Sequence, residues 1–168
     1  MTEPAPQCWL LDDVTVEQSP VAGRGLFAAA PIPQGTAVSR LGGRLCSTAE
    51  LHTLLDGPDY VDSITVDDDS HLLLAPGNRN RYGNHSCEPN LWWTDAYTLS
   101  ARRDIAAGEE LTNDYSTSTA DPQFLLRCHC ESYRCRQMVT GDDWRIPQLQ
   151  RAYAGHWPPY LQRLIDAL

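Results

Sequence analysis

Three cysteines in the C-terminal third form the densest group of potential metal ligands, a Cys-x-Cys-x4-Cys run at 128–135. Three thiolates this close together can converge on one zinc ion, which in structural sites takes four tetrahedral ligands. The run supplies three ligands, so the fourth must be His129 or a more distant residue. Because His129 lies between two ligands, its side chain would tend to point away. Cys87 occupies the most distinctive setting among the other cysteines, although an isolated cysteine is usually a small buried hydrophobe. Spacing alone therefore predicts a metal site and leaves the fourth ligand open.

Two further features could contact a ligand, and both are weak signals by themselves. Gly23, Arg24 and Gly25 form a glycine-flanked turn whose backbone could approach a ligand closely. The turn lacks the third glycine and the strand–helix setting of a dinucleotide fingerprint, so a plain hairpin turn is the alternative. Tyr115 ends a polar stretch, and no periodicity separates it from a structural tyrosine.

The segments that must position these residues are short, apolar and separated by Gly and Pro turns. Such spacing is typical of a β-rich core, with strands at 9–16, 26–30, 36–41 and 91–100 and a hairpin of 60–66 with 71–74. Ser47 and Glu50 are spaced as a capping box that opens a short helix ending at Leu55. The sequence therefore predicts a mainly β fold with short helices, of the α+β class.

Beyond Cys135 the pattern becomes helical. One helix is predicted at 146–154; it begins near Pro147 and ends before Gly155. A second follows Pro158-Pro159, where apolar residues recur at i, i+3, i+4 and i+7: Leu161, Leu164, Ile165 and Leu168. We interpret this stripe as core packing, with a homodimer seam as the alternative, so the chain is expected to be a monomer or a homodimer.

Composition and charge limit the function classes. The chain has 168 residues, 42% hydrophobic and 21% charged, which suits one globular domain with a sizeable core. It contains no apolar run long enough to span a membrane, and its first seven residues include no basic residue, so no signal peptide is expected. We expect a cytoplasmic location, with action in a nucleus or on host chromatin left open. A net charge of −9 disfavours nucleic acid and anionic membranes as partners and favours neutral or cationic ones.

Four segments, taken together and in this order, resemble SET-domain protein lysine methyltransferases. They are Gly-Arg-Gly-Leu-Phe-Ala at 23–28, Arg-Tyr-Gly-Asn-His-Ser-Cys-Glu-Pro-Asn at 81–90, the stretch from Gly-Glu-Glu-Leu to Asp-Tyr at 108–115, and the cysteine run. The last segment is similar to the zinc-binding post-SET segment of the family. The resemblance covers roughly 9–137, and the compact size is similar to that of a small bacterial member.

The resemblance implies a fold of small curved sheets with a knot-like crossing of the C-terminal motif. It implies a SET domain at 1–120 with an insert at about 45–75, a post-SET segment at 121–140 and a helical extension at 141–168. S-adenosylmethionine and a substrate lysine are expected to enter from opposite faces and meet in a narrow channel.

The resemblance also implies the site residues. Tyr115 takes the position of the catalytic tyrosine. The residues expected to face S-adenosylmethionine are Gly23, Arg24, Gly25, Tyr82, Asn84 and His85. One structural zinc ion per chain is expected on Cys87, Cys128, Cys130 and Cys135.

The expected substrate is a lysine in a basic protein segment, such as a histone tail, a nucleoid protein or a ribosomal protein. The insert is rich in acidic residues, and in the family it borders the substrate groove. The residues expected to bind substrate are Asn113, Tyr60, Asp67 and Asp68. Asn113 stands where many members carry Phe or Tyr that limits the number of methyl groups added, which leaves the product open. Glu131 stands where Gly is common after the second zinc cysteine.

Two other readings compete with the enzyme. A catalytically weak SET-fold module would bind a basic peptide or the cofactor without turnover. A purely structural zinc protein would assemble through its C-terminal helices, but it would need neither the Gly-Arg-Gly turn nor the Asp-Tyr pair.

Overall fold

The computed structural model describes residues 3–168, in which short strands predominate. The strands are β1 Trp9–Leu10, β2 Val14–Gln18, β3 Arg24–Ala28, β4 Ala37–Arg40, β5 Gly43–Cys46, β6 Ser63–Asp67, β7 Ser70–Leu74, β8 Asn84–His85, β9 Leu91–Trp93, β10 Thr98–Ala101, β11 Glu110–Asn113, β12 Leu125–Arg127 and β13 Met138–Thr140. The helices are α1 Thr48–Leu55, α2 Pro147–Ala152 and α3 Pro159–Asp166, and 3₁₀ turns span Asn80–Tyr82, Tyr115–Thr117 and Asp143–Arg145. The predicted class, mainly β with short helices, is confirmed.

Two four-stranded sheets form the centre of the molecule, with strand orders β1-β4-β10-β9 and β2-β3-β11-β8. Strand β11 pairs with β3 antiparallel, Leu111 opposite Leu26, and with β8 parallel, Asn113 opposite His85. This parallel pairing brings the segment that leads into Tyr115 beside the Asn84-His85 step. The central strand therefore assembles segments that are far apart in the sequence.

The two sheets share one apolar core. Its buried side chains come from both sheets and include Val14, Leu26, Val38, Trp93 and Leu111. The indole of Trp93 also donates a hydrogen bond to Thr117 Oγ1 at 2.9 Å, so its polar atom is satisfied inside the core. This bond ties the core to the turn that begins at Tyr115.

The predicted strand at 9–16 is wrong in one respect, because the chain turns in its middle. Asp12 and Asp13 form the turn, which a hydrogen bond from the Val14 N–H to the Leu11 carbonyl closes at 3.1 Å. As a result, β1 pairs with β4 in one sheet and β2 pairs with β3 in the other. Adjacent aspartates favour turns over strands, and here they override the apolar pattern around them.

The insert forms a three-stranded sheet, β5-β7-β6, with helix α1 packed beside it. The predicted hairpin is present as β6 and β7. The predicted helix is also present, and Ser47 Oγ accepts a hydrogen bond from the Glu50 N–H at 3.2 Å. The reciprocal half of the capping box is replaced by an ion pair, in which Arg44 binds the Glu50 carboxylate at 2.7 Å.

The C-terminal part continues from the β12–β13 hairpin into α2 and α3. A second apolar cluster forms here from Trp144, Tyr153, Trp157, Tyr160 and Leu161. Leu164 and Ile165 pack against it, as the core-packing interpretation predicts, whereas Leu168 lies beyond α3 and is exposed. Across residues 3–168, no helix combines the length and the apolar character that crossing a membrane would require.

Candidate functional site

The four predicted metal ligands come together. Their Sγ atoms lie within 4.8 Å of one another, with Cys87 just after β8 and the others in the β12–β13 loop: Cys128, Cys130 and Cys135. The sulfur atoms of Cys87 and Cys128 are 3.7 Å apart. A tetrahedron with zinc–sulfur bonds of about 2.3 Å has edges of about 3.8 Å, whereas a disulfide requires a separation of about 2.05 Å. The residues present therefore fit a tetrahedral metal ion, and the exposed His129 is not among them.

Backbone N–H groups point at these sulfur atoms. Cys87 N donates to Cys130 Sγ at 3.5 Å, Cys130 N to Cys128 Sγ at 3.4 Å, and Arg136 N to Cys87 Sγ at 3.4 Å. Burial raises the pKa of Cys87 to about 11, whereas at Cys130 the backbone and thiol hydrogen bonds outweigh burial and bring the pKa down to about 7. A buried group of thiolates needs a cation to offset its charge, and a metal ion would supply it.

Tyr115 lies at the start of its 3₁₀ turn and spans the gap to the β8 segment. Its hydroxyl donates to the Gly83 carbonyl at 2.7 Å, and its backbone N–H donates to His85 Nδ1 at 3.1 Å. Burial, together with the nearby Tyr60 and Asp62, holds the pKa of Tyr115 well above its ordinary value. The hydroxyl therefore stays protonated at neutral pH.

Asp114, immediately before Tyr115, is the centre of a buried ionic cluster that the sequence did not single out. Arg136 donates two hydrogen bonds to its carboxylate, from Nη1 to Oδ2 at 2.7 Å and from Nη2 to Oδ1 at 2.6 Å. Its Oδ2 atom also accepts a hydrogen bond from the Tyr153 hydroxyl at 3.0 Å. Burial alone would raise the pKa of Asp114, but the Arg136 guanidinium holds it below its usual range. Arg136 follows Cys135 directly in the β12–β13 loop, residues 128–137, which we call the metal loop. The cluster therefore connects the metal loop to Tyr115.

The Gly-Arg-Gly turn is held against the β8 segment by one amide. Asn84 Nδ2 lies 3.1 Å from the Arg24 carbonyl and 2.8 Å from Glu110 Oε1. Gly23 adopts a φ of +51° in open space, whereas a side chain at Gly25 would collide with the Glu110 carboxylate. The Arg24 guanidinium lies 4.7 Å from the centre of the Tyr82 ring. The exposed glycine backbone and this guanidinium fit a ligand with a charged amino-acid end.

His85, predicted to face the cofactor, is buried and its ring is already occupied. Nδ1 accepts the Tyr115 N–H, and Nε2 lies 3.3 Å from Cys87 Sγ. Both ring nitrogens therefore have protein partners. Any contact of this residue with a cofactor would have to come from its backbone.

On the other side of the same segment lies a cavity of about 490 Å³. Its wall includes Tyr115, Asn113, Gly83 and Arg81, whereas the alternate residues Tyr82 and Asn84 contact Arg24. The stretch 81–84 is thus a partition between the glycine turn and the cavity. Tyr115, bonded to Gly83, lies at this partition.

The predicted substrate residues separate into two groups. Asn113 and Tyr60 line the cavity. Asp67 and Asp68 do not line it, because their carboxylates bind helix α3: Arg163 donates to Asp67 at 2.8 Å and the Tyr160 hydroxyl donates to Asp68 at 3.1 Å.

Asp62 is the acid of the insert that faces the cavity, and sequence reasoning did not rank it above its neighbours. Burial raises the pKa of its carboxyl group, and the nearest guanidinium nitrogen, Arg81 Nε, is 3.9 Å away. Leu55 and Leu125 line the same cavity, and both are more than half exposed. The cavity therefore combines apolar walls with a carboxylate that has a loose ion pair with Arg81 and a hydrogen bond with the Tyr60 side chain.

Comparisons with known proteins agree with this arrangement. A family profile described as SET domain matches residues 23–116. The chain is 33% identical over 139 residues to human Histone-lysine N-methyltransferase 2B, and 30% identical over 145 residues to Histone-lysine N-methyltransferase ash1 of Drosophila melanogaster. Each alignment covers 76% of this chain but only 5% and 6% of those relatives.

Among solved structures, the methyltransferase domain of human Histone-lysine N-methyltransferase SETMAR superposes with a TM-score of 0.62. That match has 23% sequence identity and covers 77% of this chain and 58% of the other. At this identity the similarity concerns the fold.

Proposed function

The chain belongs to the SET-domain family, and on that premise we propose that it is an S-adenosylmethionine-dependent protein-lysine N-methyltransferase. The observation that supports this most directly is the partition at 81–84, which has the glycine turn on one side and the cavity on the other. Such a partition separates the two faces from which a cofactor and a substrate would enter. Tyr115 lies where the two sides meet.

The cofactor side is the Gly23–Gly25 turn with Tyr82, Asn84 and the backbone of His85. Arg24 would hold the carboxylate of the methionine end, and the exposed backbone at Gly23 would hydrogen-bond its polar groups. When bound, S-adenosylmethionine supplies the methyl group and a positive sulfonium charge. Asn84 acts indirectly, because its amide fixes the turn through the Arg24 carbonyl.

The cavity would take the substrate lysine. A lysine side chain is a cation at neutral pH, with a reference pKa of about 10.4. The apolar walls disfavour the ammonium form and lower that pKa, which opposes the attraction of Asp62 for the cation, and we propose that the amine enters the reaction neutral. The Tyr115 hydroxyl, which stays protonated, then orients the amine, and positioning of this kind can supply much of the rate. No dedicated general base is needed.

Zinc is the proposed metal on the four cysteines, one per chain. Four thiolates leave no open coordination position, so the ion is structural and does not act as a Lewis acid. It would pin the β12–β13 loop to the β8 segment through Cys87. Because Arg136 lies in that loop and binds Asp114, the ion would also stabilise the surroundings of Tyr115.

The proposed substrate is a basic protein segment, with histones as the first candidates, because the curated relatives are named histone-lysine N-methyltransferases. The chain carries a net charge of −9 and presents Asp62 to the cavity. Both features favour a cationic partner.

The test is methyl transfer from tritiated S-adenosylmethionine to core histones and to a cell lysate. Wild type should label at least one basic protein, and Tyr115→Phe should fold, bind the cofactor and label it at least about tenfold more slowly, a loss of about 1.4 kcal/mol or more. Tyr133→Phe is the matched control, because Tyr133 is 80% exposed in the metal loop. Unchanged labelling by Tyr115→Phe would refute its role. A wild type that binds basic peptides without any labelling would support the weak binding module instead.

A further inference from the structure

Tyr153 connects the C-terminal extension to the candidate active site. It follows helix α2 directly, and its side chain is buried in the second apolar cluster, where it packs edge-on against Trp157 with ring centres 5.6 Å apart. From this fixed position its hydroxyl donates to Asp114 Oδ2 at 3.0 Å. The aromatic packing therefore determines where the hydroxyl can hold the carboxylate.

Asp114 in turn determines the orientation of the turn at 115–117. Its Oδ1 atom accepts the Ser116 N–H at 3.1 Å and the Ser116 hydroxyl at 2.8 Å, so it caps the turn at its N-terminal end. Its backbone carbonyl accepts the Thr117 N–H at 2.9 Å. A rotation of this carboxylate would therefore move the whole turn.

Two groups share the same oxygen of this carboxylate. Asp114 Oδ2 receives Arg136 Nη1 at 2.7 Å from the metal loop and the Tyr153 hydroxyl at 3.0 Å from the extension. Burial and the adjacent carboxylate hold the pKa of Tyr153 well above its ordinary value, so its hydroxyl remains a donor. Without this second donor, Arg136 alone would hold that oxygen.

We propose that Tyr153 is a positioning residue: its hydroxyl, acting through Asp114, fixes the turn that presents Tyr115 to the substrate amine. The C-terminal extension is then part of the methyl-transfer site and not a separate unit. The inference rests on the proposed methyltransferase function for its kinetic consequence, whereas its geometric content is independent of activity. Displacements of the order of 1 Å at a reacting centre are sufficient to slow chemistry strongly.

The experiment compares wild type with Tyr153→Phe and a matched control, Tyr160→Phe. Tyr160 belongs to the same apolar cluster, and its hydroxyl also donates to a carboxylate, but that carboxylate is Asp68 on the insert. The readout is the single-turnover rate constant for methylation of core histones at saturating enzyme excess, because at saturation this constant does not depend on the fraction of enzyme that is folded. Zinc content and the dissociation constant of S-adenosylhomocysteine are measured alongside.

We expect Tyr153→Phe to react about tenfold more slowly, with zinc content and cofactor analogue binding unchanged, and Tyr160→Phe to react as wild type. Replacing Tyr153 by 4-aminophenylalanine, which keeps a donor at the same place, should restore most of the rate. An unchanged rate constant in Tyr153→Phe, or an equal loss in both Phe variants, would overturn the proposal.

A crystal structure of Tyr153→Phe separates this proposal from the proposed function. If wild type methylates no basic protein, the proposed function fails, and the position of Tyr115 in the variant still decides the geometric claim. A Tyr115 hydroxyl that keeps its 2.7 Å bond to the Gly83 carbonyl contradicts positioning by Tyr153. A turn that has rotated away from Gly83 supports it.

Discussion

Replacing Arg136 by Met should remove the cation from a buried cluster and leave Asp114 without its strongest partner. The Asp114 side chain has no exposed surface, and that of Arg136 is 15% exposed, so solvent screens this ion pair weakly. Removing one partner of a buried ion pair typically costs about 3–5 kcal/mol, because the remaining charge is buried and uncompensated. This is a large part of the 5–15 kcal/mol that stabilises a typical domain.

The second change in a double-mutant cycle, Asp114→Asn, removes one of the two charges that Arg136→Met leaves behind. The other is Asp143, whose Oδ2 atom lies 3.0 Å from Arg136 Nε. The single amide oxygen of Asn can still cap the turn, and its amide nitrogen would then donate to the Tyr153 hydroxyl, so Asn is the mildest replacement. We therefore expect the double variant to be more stable than Arg136→Met alone, although it carries one more substitution. A coupling free energy of about 2 kcal/mol or more is expected between the two positions.

Urea unfolding at pH 7.5 with zinc present, followed by circular dichroism, measures the four free energies of unfolding. The pH follows from the sign of the Asp114 shift. Because its folded pKa is lowered, its stabilisation is complete above the unfolded value of about 3.9 and is lost as the pH falls through the folded value. At pH 7.5 the full ion pair is therefore present. Strictly additive free energies, or a double variant less stable than Arg136→Met, would refute the reasoning.

The remaining predictions concern the metal, the cavity and the backbone. Purified protein should contain about one zinc ion per chain by metal analysis. The zinc should be lost in Cys87→Ser and kept in Cys46→Ser, and the reverse pattern would contradict the ligand assignment. Asp62→Asn should raise KM for a basic peptide more than it lowers kcat, because Asp62 faces the cavity. The triple replacement of Asp67, Asp68 and Asp69 by Asn should instead lower Tm and leave KM unchanged, because these carboxylates include the partners of α3. Steady-state kinetics measures the first effect and thermal melts measure the second. Glu131→Gly should raise the free energy of unfolding by about 0.5 kcal/mol, because Glu131 adopts a φ of +53° that only glycine tolerates freely. Urea unfolding measures this change. A lower free energy of unfolding would show that the contacts of the Glu131 side chain outweigh the backbone strain.

The sequence was informative where a pattern is local or repeated in a known order. The cysteine run gave three ligands by spacing, and the resemblance supplied Cys87, which the structure places with them. Short apolar runs bounded by turn residues predicted most of the strands and the hairpin of the insert. For the unusual backbone at Glu131 the signal came from the resemblance, which leads us to expect glycine after the second zinc cysteine.

Contacts between distant segments had no such signal. The hydroxyl of Tyr153 reaches Asp114 across 39 positions of sequence, and no periodicity links the two. Acidic composition predicts a negatively charged insert but not where each carboxylate points, and the contact of Asp68 with α3 has no signal in the sequence. Such pairings depend on how complete elements pack, which a single sequence does not specify.

The position of β11 has a consequence for how the molecule reaches its native state. This strand lies between β3 and β8, which both precede it in the chain, and it pairs with β8 in parallel. Contacts of such long sequence separation slow folding, because the chain entropy is lost before they form. Since Asp114 also needs Arg136 and Tyr153, a nascent chain on a ribosome cannot complete the site until residue 153 has emerged. The buried residues of the central core lie between Val14 and Leu111, so the core is incomplete until Leu111 has emerged, and this interval is when we expect chaperones to bind and aggregation to compete.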